Sequence, residues 1–214
     1  MRVEVITAWH QQAFLAPFFL DHYRYADRIS VSVDSRTDDD TLAICARYPN
    51  VAVDSVRFTG PIDDEQRVAR LNAVYRTLRC DWVFAVDADE FLFPQPWGTN
   101  PRPALNREHD FDVVRAQTLR VYRHRTETDL DPRRPAVPQR RHGELDAGEE
   151  IDGQGARPLA VRGGLDAGWT SGRRAFGPPG LRVSPHVFGC AHWAKADLPP
   201  GPERERHLDD PRLF

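Results

Sequence analysis

The chain has 214 residues, of which 40% are hydrophobic and 29% are charged, and its formal net charge at pH 7 is −3. This composition is typical of a globular chain that can bury one core, and it argues against a strongly basic nucleic-acid-binding module. No apolar run reaches the roughly 18–20 residues of a membrane helix, so no transmembrane segment is expected. Cys45, Cys80 and Cys190 form no Cys-x-x-Cys pair. Neither a disulfide framework nor a zinc site is indicated, and we expect a cytoplasmic location.

The first 93 residues alternate strand and helix patterns. Short β-rich or apolar runs predict strands at residues 3–7, 29–33, 51–53 and 82–86. Apolar residues at helical spacing predict helices over residues 12–26 and 64–79. Asp38 or Thr37 is the expected cap of a further helix that ends near residue 48. Strands separated by helices of this length imply βαβ units, so we expect an α/β fold with a mostly parallel, Rossmann-like central sheet flanked by helices.

The pattern changes after Phe93. Four prolines between residues 94 and 103 mark a surface loop. Strand-like runs recur at residues 111–114, 119–122, 159–161 and 185–193. Residues 123–157 hold few large apolar side chains and predict a long loop. We therefore expect one domain over residues 1–214, with a long irregular C-terminal half over residues 94–198 and a Pro- and charge-rich tail over residues 199–214.

The clearest chemical motif is Asp87-Ala88-Asp89, directly after the apolar run at residues 82–86. In an extended chain, positions i and i+2 point to one face, about 6–7 Å apart along the strand. With a slight turn, both carboxylates can converge on one hard cation or its water shell. The carboxyl ends of parallel strands are also where open α/β sheets bind ligands. The pattern thus predicts a metal site, and a solvated loop after the strand is the plain alternative.

Three further positions carry chemistry that suits such a site. Asp34 directly follows the second predicted strand, where it could accept hydrogen bonds from a ribose or a base, or simply form a turn. His186 and His192 lie in apolar surroundings late in the chain. Neutral imidazole is a good ligand for Mn²⁺ alongside carboxylates, whereas a satisfied, half-buried histidine is the alternative.

Residues 4–48 and 70–93 resemble a family-2-type glycosyltransferase of the GT-A fold. In that family a first strand leads through a short polar motif into a helix, as residues 5–15 do here, and a second strand ends in an acid, as at Asp34. The likeness is closest at residues 70–72 and 81–92 and returns faintly at residues 168–173 and 191–195. It implies a single GT-A domain, with residues 1–93 as the nucleotide-binding half and residues 94–198 as the acceptor-side half.

The resemblance also implies roles for individual residues. Asp89 would hold Mn²⁺ or Mg²⁺ through the diphosphate of a nucleotide-diphosphate sugar, with a UDP-sugar as the expected donor. Asp87 would contact the ribose or share the metal, and His192 would be the late metal ligand. The positions expected to border the nucleotide are Thr7, Asp34 and Arg70. The chain departs from the family at Gln11-Gln12, where many relatives carry Asn-Glu, and at Gly172-Arg173-Arg174, where many carry Gly-Asn-His. Arg173 could grip the diphosphate or an anionic acceptor.

The expected reaction is a metal-dependent sugar transfer to an acceptor hydroxyl, and the resemblance implies inversion at the anomeric carbon. An inverting enzyme needs a carboxylate base. Candidates are the acids within residues 142–150 and Asp166, which we prefer because it adjoins the faint likeness at residue 168. The arginine-dense stretch at residues 115–141 is typical either of a solvated loop or of a surface that binds an anionic acceptor. An anionic glycan, a small molecule or a nucleic acid is open as acceptor, and no oligomeric state is predicted.

Three other functions compete with a transferase. A haloacid-dehalogenase-type phosphatase also places Asp-x-Asp after a strand, with the first Asp as nucleophile, but it expects that motif near the N-terminus. A sugar-phosphate nucleotidyltransferase would need a glycine-rich loop after the first strand, where Thr7-Ala8-Trp9-His10 has no glycine. A degenerate GT-A domain that acts as a binding or scaffold module agrees with both departures from the family pattern.

Overall fold

The computed structural model describes residues 1–60, 63–94, 98, 100–124, 126–145, 156–170, 175–177 and 180–193. The strands are β1 (Val3–Trp9), β2 (Arg28–Asp34), β3 (Val51–Val56), β4 (Trp82–Ala85), β5 (Glu90–Phe93), β6 (Val113–Tyr122), β7 (His142–Leu145), β8 (Ala156–Arg162), β9 (Gly168–Trp169), β10 (Ala175–Phe176) and β11 (Val183–His192). The helices are α1 (Ala16–His22), α2 (Thr41–Cys45), α3 (Asp64–Tyr75) and α4 (Arg102–Leu105), and a 3₁₀ turn covers Val137–Gln139.

Nine of these strands form one sheet in the order β3-β2-β1-β4-β8-β6-β11-β5, with β7 also paired to β6. Strands β1 to β4 are mutually parallel. Strand β8 runs against both β4 and β6, so β6 and its parallel neighbour β11 point the same way as β1 to β4. The predicted α/β fold with a mostly parallel, Rossmann-like central sheet is confirmed.

Helices cover both faces of the sheet. One apolar cluster joins Phe18 and Phe19 of α1 and Ile44 of α2 to one face of the strands. A second cluster joins Val68 and Leu71 of α3 to the opposite face. Because α3 lies between two parallel strands in the chain, it runs against them and begins at their carboxyl edge. Its first turn therefore lies beside the ends of β1 and β4.

The helices are shorter than the apolar spacing predicts. Helix α1 begins at Ala16 rather than near residue 12, because the amides of Gln12 and Ala13 bond to the side chains of Thr41 and Asp39 instead of entering a helix. The prediction that Thr37 or Asp38 caps the next helix is wrong. Helix α2 begins at Thr41, after an N-cap residue, Asp40, that makes no side-chain capping bond.

The second half of the chain adds long strands to the sheet. The two runs predicted at residues 111–114 and 119–122 form the single ten-residue strand β6. The runs at residues 159–161 and 185–193 correspond to β8 and β11. Strands β5 and β7 were not expected, and β7 interrupts the loop predicted over residues 123–157. Residues 146–155 and the tail from residue 194 onward lie outside the described part of the chain.

Two global properties bear on function. None of the helices within the described ranges has the length and apolar character needed to cross a membrane. The three cysteines are free thiols, with Cys45 and Cys190 buried. Burial raises the pKa of the Cys45 thiol to about 11, so this group is not a thiolate nucleophile at neutral pH.

Candidate functional site at the carboxyl edge of the parallel strands

The turn after β4 carries the Asp-x-Asp motif. The amide of Glu90 donates to the carbonyl of Asp87 over 3.1 Å, which closes a turn over residues 87–90. The side chain of Glu90 completes this turn, because its Oε2 accepts the Asp87 amide at 2.9 Å. Glu90 is only 1% exposed. We therefore assign Glu90 to shaping the turn and the two aspartates to presenting charge at its surface.

Asp87 and Asp89 face different partners across this turn. Oδ2 of Asp87 lies 3.4 Å from Nη2 of Arg67, in the first turn of α3. Oδ2 of Asp89 lies 3.4 Å from Nε2 of His192, the last residue of β11. In this arrangement each carboxylate has its own partner, Arg67 for Asp87 and His192 for Asp89.

The structure brings His192, rather than His186, to the Asp-x-Asp turn. Strand β11 runs antiparallel to β5, and this register sets His192 opposite Glu90. The amide of Trp193 also donates to the Asp89 carbonyl at 2.9 Å. His186 lies near the other end of β11, where its Nδ1 is 2.8 Å from Oε1 of Glu108.

The Asp89–His192 pair suits one part of a metal site. Adjacent ligands of an octahedral ion with bonds of about 2.1 Å stand about 3 Å apart, close to the 3.4 Å between Oδ2 and Nε2. A carboxylate combined with an imidazole favours Mn²⁺ over Mg²⁺, which prefers oxygen ligands. Nδ1 of His192 is buried without a hydrogen-bond partner among the described residues, so no neighbour there fixes its tautomer. Within the same ranges, no three metal-ligating side chains cluster.

Asp34 is held ionised at the end of β2. Its carboxylate accepts the amide of Arg36 at 2.9 Å and the Arg36 guanidinium at both oxygens, the shortest contact being 2.5 Å. This pairing with Arg36 lowers the pKa of Asp34 to about 2, against the opposing effect of burial. The Asp34 side chain is fully buried, whereas that of Arg36 is 34% exposed. A ligand at this edge would therefore meet Arg36 first.

Two residues expected to border the nucleotide make their recorded contacts away from the Asp-x-Asp turn. Thr7 shares its strand face with Val5 and Trp9, both in the α1-side cluster, and is 1% exposed. Arg70 donates from Nε to Ser32 Oγ at 2.9 Å and pairs with Asp54. Ser32 precedes Asp34 by two residues, so this anchor lies about 6–7 Å before the strand end. The structure brings neither Thr7 nor Arg70 to Asp89.

The candidate base Asp166 lies at the opposite end of β4 from the Asp-x-Asp turn. Antiparallel pairing sets Arg162, the last residue of β8, opposite Trp82, the first residue of β4. The chain that continues to Asp166 thus leaves from the amino end of β4, while Asp87 and Asp89 follow its carboxyl end. Arg173 and the candidate acids Asp146, Glu149 and Glu150 lie outside the described residues.

Sequence reasoning missed the two arginines at this edge. Arg36 and Arg67 neutralise Asp34 and Asp87, and their side chains keep 34% and 31% exposure. Arg36 has a local signal, because it lies two residues after Asp34 in a turn. Arg67 could have been found from the βαβ pattern, since the first turn of α3 must lie at the carboxyl edge of the sheet.

No protein-family model matches the chain, and no curated protein does either. Among solved structures, S. aureus TarS 1–349 aligns at 16% identity and TM-score 0.40, covering 61% of this chain and 38% of that one. The same fragment in complex with UDP-GlcNAc aligns at 17% identity and TM-score 0.40, covering 61% and 37%. The 4-diphosphocytidyl-2C-methyl-D-erythritol synthase from Anaerococcus prevotii aligns at 12% identity and TM-score 0.41, covering 75% and 71%. The chain thus spans less than half of the TarS fragment.

Proposed function

We propose that this chain is a metal-dependent glycosyltransferase that binds a nucleotide-diphosphate sugar at the carboxyl edge of β1, β2 and β4. The single observation that supports this most is the Asp89–His192 pair. It joins residues 103 positions apart through the pairing of β11 with β5 and leaves Oδ2 and Nε2 3.4 Å apart. A carboxylate and an imidazole at that spacing form a pair of ligands for one divalent cation.

The neighbouring charges suit a diphosphate. Arg36 and Arg67 are paired with Asp34 and Asp87 and remain about one third exposed. Guanidinium groups form charge-assisted, often bidentate hydrogen bonds with phosphate oxygens. In the proposed complex, Arg67 and Arg36 orient the diphosphate, and Asp89 and His192 hold the cation beside it. A bound Mn²⁺ would supply Lewis-acid stabilisation of the charge that develops on the leaving diphosphate.

The proposed reaction exchanges one bond at the anomeric carbon of the donor sugar. The bond from this carbon to the diphosphate oxygen breaks, and the nucleoside diphosphate leaves with the electron pair. A bond to the acceptor oxygen forms on the opposite face, so the configuration inverts, and the acceptor proton passes to a carboxylate base. Anomeric analysis of the product by NMR tests this, because a retained configuration would contradict inversion.

A second candidate function, a GT-A-like module that binds a ligand without catalysis, is favoured by one observation. Two of the acids at this edge, Asp34 and Asp87, are already paired with arginines. Such a module would bind a nucleotide with little dependence on a divalent cation and would transfer no sugar.

Calorimetric titration of the chain with UDP, GDP and TDP, each with and without Mn²⁺, tests the proposal. We expect one nucleotide to bind at least tenfold more tightly with Mn²⁺, since a positioned cation links the diphosphate to Asp89 and His192. Asp89→Ala and His192→Ala should each abolish the Mn²⁺ enhancement. Hydrolysis or transfer from the matching nucleotide-sugar should depend on the same two residues.

A matched control exists on the surface. Asp110 and His109 form a similar pair, with His109 Nε2 3.2 Å from Asp110 Oδ2, but both side chains are more than 70% exposed. Asp110→Ala should therefore leave nucleotide and Mn²⁺ binding unchanged. Binding without Mn²⁺ enhancement would support the non-catalytic module, and no binding of any nucleotide would overturn both proposals.

A further inference from the structure

A cleft of about 560 Å³ opens beside the ends of β6 and β11. Its walls are mainly apolar, and they include Leu119, Val121, Val137, Phe93 and Ala191. Leu119 and Val121 alternate along β6 with the exposed residues Arg120 and Tyr122. They pack only partly buried against the core cluster on the α1 side of the sheet. A surface-opening cleft with such walls gains free energy by covering an apolar ligand.

The polar part of this cleft is cationic. Arg140 and Arg141 line it, and the described residues that line it include no acid. The charge of Arg140 is met by Glu127, whose Oε2 lies 3.9 Å from Arg140 Nε. Although burial opposes it, hydrogen bonds from the Arg141 and His124 amides keep the pKa of Glu127 at about 2.

Among the described residues that line the cleft, the positive charge that remains belongs to Arg141. Its backbone amide donates to Glu127 Oε1 at 3.0 Å, while its exposed guanidinium makes no hydrogen bond or ion pair with the described residues. Within the described residues, the cleft therefore joins apolar walls to a guanidinium that no carboxylate compensates. A ligand with an apolar body and one anionic group would complement both the walls and the guanidinium.

We propose that this cleft binds one molecule of a soluble amphipathic anion, a carboxylate or phosphate monoester on an apolar body, with the anion at Arg141. The cleft is separate from the Asp89–His192 pair. Ala191, in the cleft wall, and His192 are consecutive residues of β11, and consecutive strand residues face opposite sides of a sheet. The proposal does not depend on the nucleotide function.

Calorimetric titration with decanoate and decyl phosphate, below their micelle concentrations, tests the proposal. We expect saturable binding of one molecule per chain. Decanol and decylamine should bind about tenfold more weakly or not at all, because they lack the anion that a guanidinium recognises. Arg141→Ala should weaken decanoate binding about tenfold and leave decanol binding unchanged. Val121→Trp should block both ligands by filling the cleft.

Two matched variants and one experiment with lipid vesicles serve as controls. Arg133→Ala removes an exposed arginine of the same loop that pairs with Asp131, and it should bind decanoate like the unaltered chain. Val53→Trp makes the same exchange as Val121→Trp at an exposed valine of β3 and should also bind normally. Equal binding of decanol and decanoate would overturn the proposal. So would binding only to phosphatidylglycerol vesicles, which would indicate a lipid surface rather than one soluble molecule.

Discussion

Asp87 faces Arg67 across 3.4 Å, so a cation supplied by the protein already lies beside the first carboxylate of the Asp-x-Asp motif. Arg67 also reaches Asp64, with Nη2 3.0 Å from Oδ1. The guanidinium thus stands between two acids at the first turn of α3. A second cation beside Asp87 would experience repulsion from Arg67, and the proposed metal site therefore uses Asp89 and His192 rather than Asp87.

Arg67→Gln should strengthen the binding of Mn²⁺ alone. Removing the guanidinium takes away one partner of the Asp87 carboxylate and a positive charge from the surroundings of the proposed metal site. Because the groups are partly exposed, we expect an effect of about two- to fivefold. Calorimetry with Mn²⁺ and no nucleotide measures it. Arg47→Gln, at an exposed arginine after α2, serves as control, and weaker Mn²⁺ binding by Arg67→Gln would contradict the assignment.

Arg36→Met should raise the pKa of Asp34. In the folded chain, pairing with Arg36 holds that pKa at about 2, and without the guanidinium it should move to the usual range near 4 or above. Stability supplied by this pair is present above pH 4 and is lost as the pH falls towards 2. Carbon-13 NMR of the Asp34 carboxylate measures the shift. An unchanged titration would show that other groups hold Asp34 ionised.

Local sequence patterns predict the βαβ half well, because the apolar run of each strand and the helical spacing of each helix lie within that element's own residues. They fail where an element depends on a distant partner. Strand β5 is only four residues long and pairs through residues 90–93 with residues 189–192. Nothing within those four residues identifies that partner. The same holds for β7, which adds to β6 at residues 119–122.

The candidate site also combines features that the local sequence predicts with features that depend on distant parts of the chain. The position of Asp89 at the end of a buried strand could be predicted, and the resemblance pointed to His192. The separate partners of the two carboxylates could not, because Arg67 of α3 and His192 of β11 reach the turn only through the tertiary fold. The distance of Asp166 from the Asp-x-Asp turn could not be predicted either, because its adjacency to residue 168 does not show which end of β4 the antiparallel strand β8 reaches.

Asn72→Ala should destabilise the fold. The Asn72 side chain donates to the Trp169 carbonyl and accepts the Trp169 amide, both at 2.8 Å, and so fastens β9 to α3. Both backbone groups are buried and would lose their partner. We expect a loss of about 2–4 kcal/mol in the free energy of unfolding, measured by urea denaturation. Asn106→Ala, at an exposed asparagine, should change it by less than about 1 kcal/mol, and equal losses in both variants would contradict this role.

His22→Gln should reduce the acid sensitivity of the fold. Burial lowers the pKa of His22 to about 4, although its bond to the Leu92 carbonyl, 2.7 Å from Nε2, acts in the opposite direction. In the unfolded chain the pKa is about 6.5. Between these values the unfolded chain binds the extra proton, so the free energy of unfolding falls as the pH drops from 6.5 to 4, by about 3 kcal/mol in total. Glutamine can still donate to Leu92 but cannot titrate. Urea denaturation of both proteins across this range should show a shallower decline for His22→Gln, and parallel declines would place the acid sensitivity in other groups.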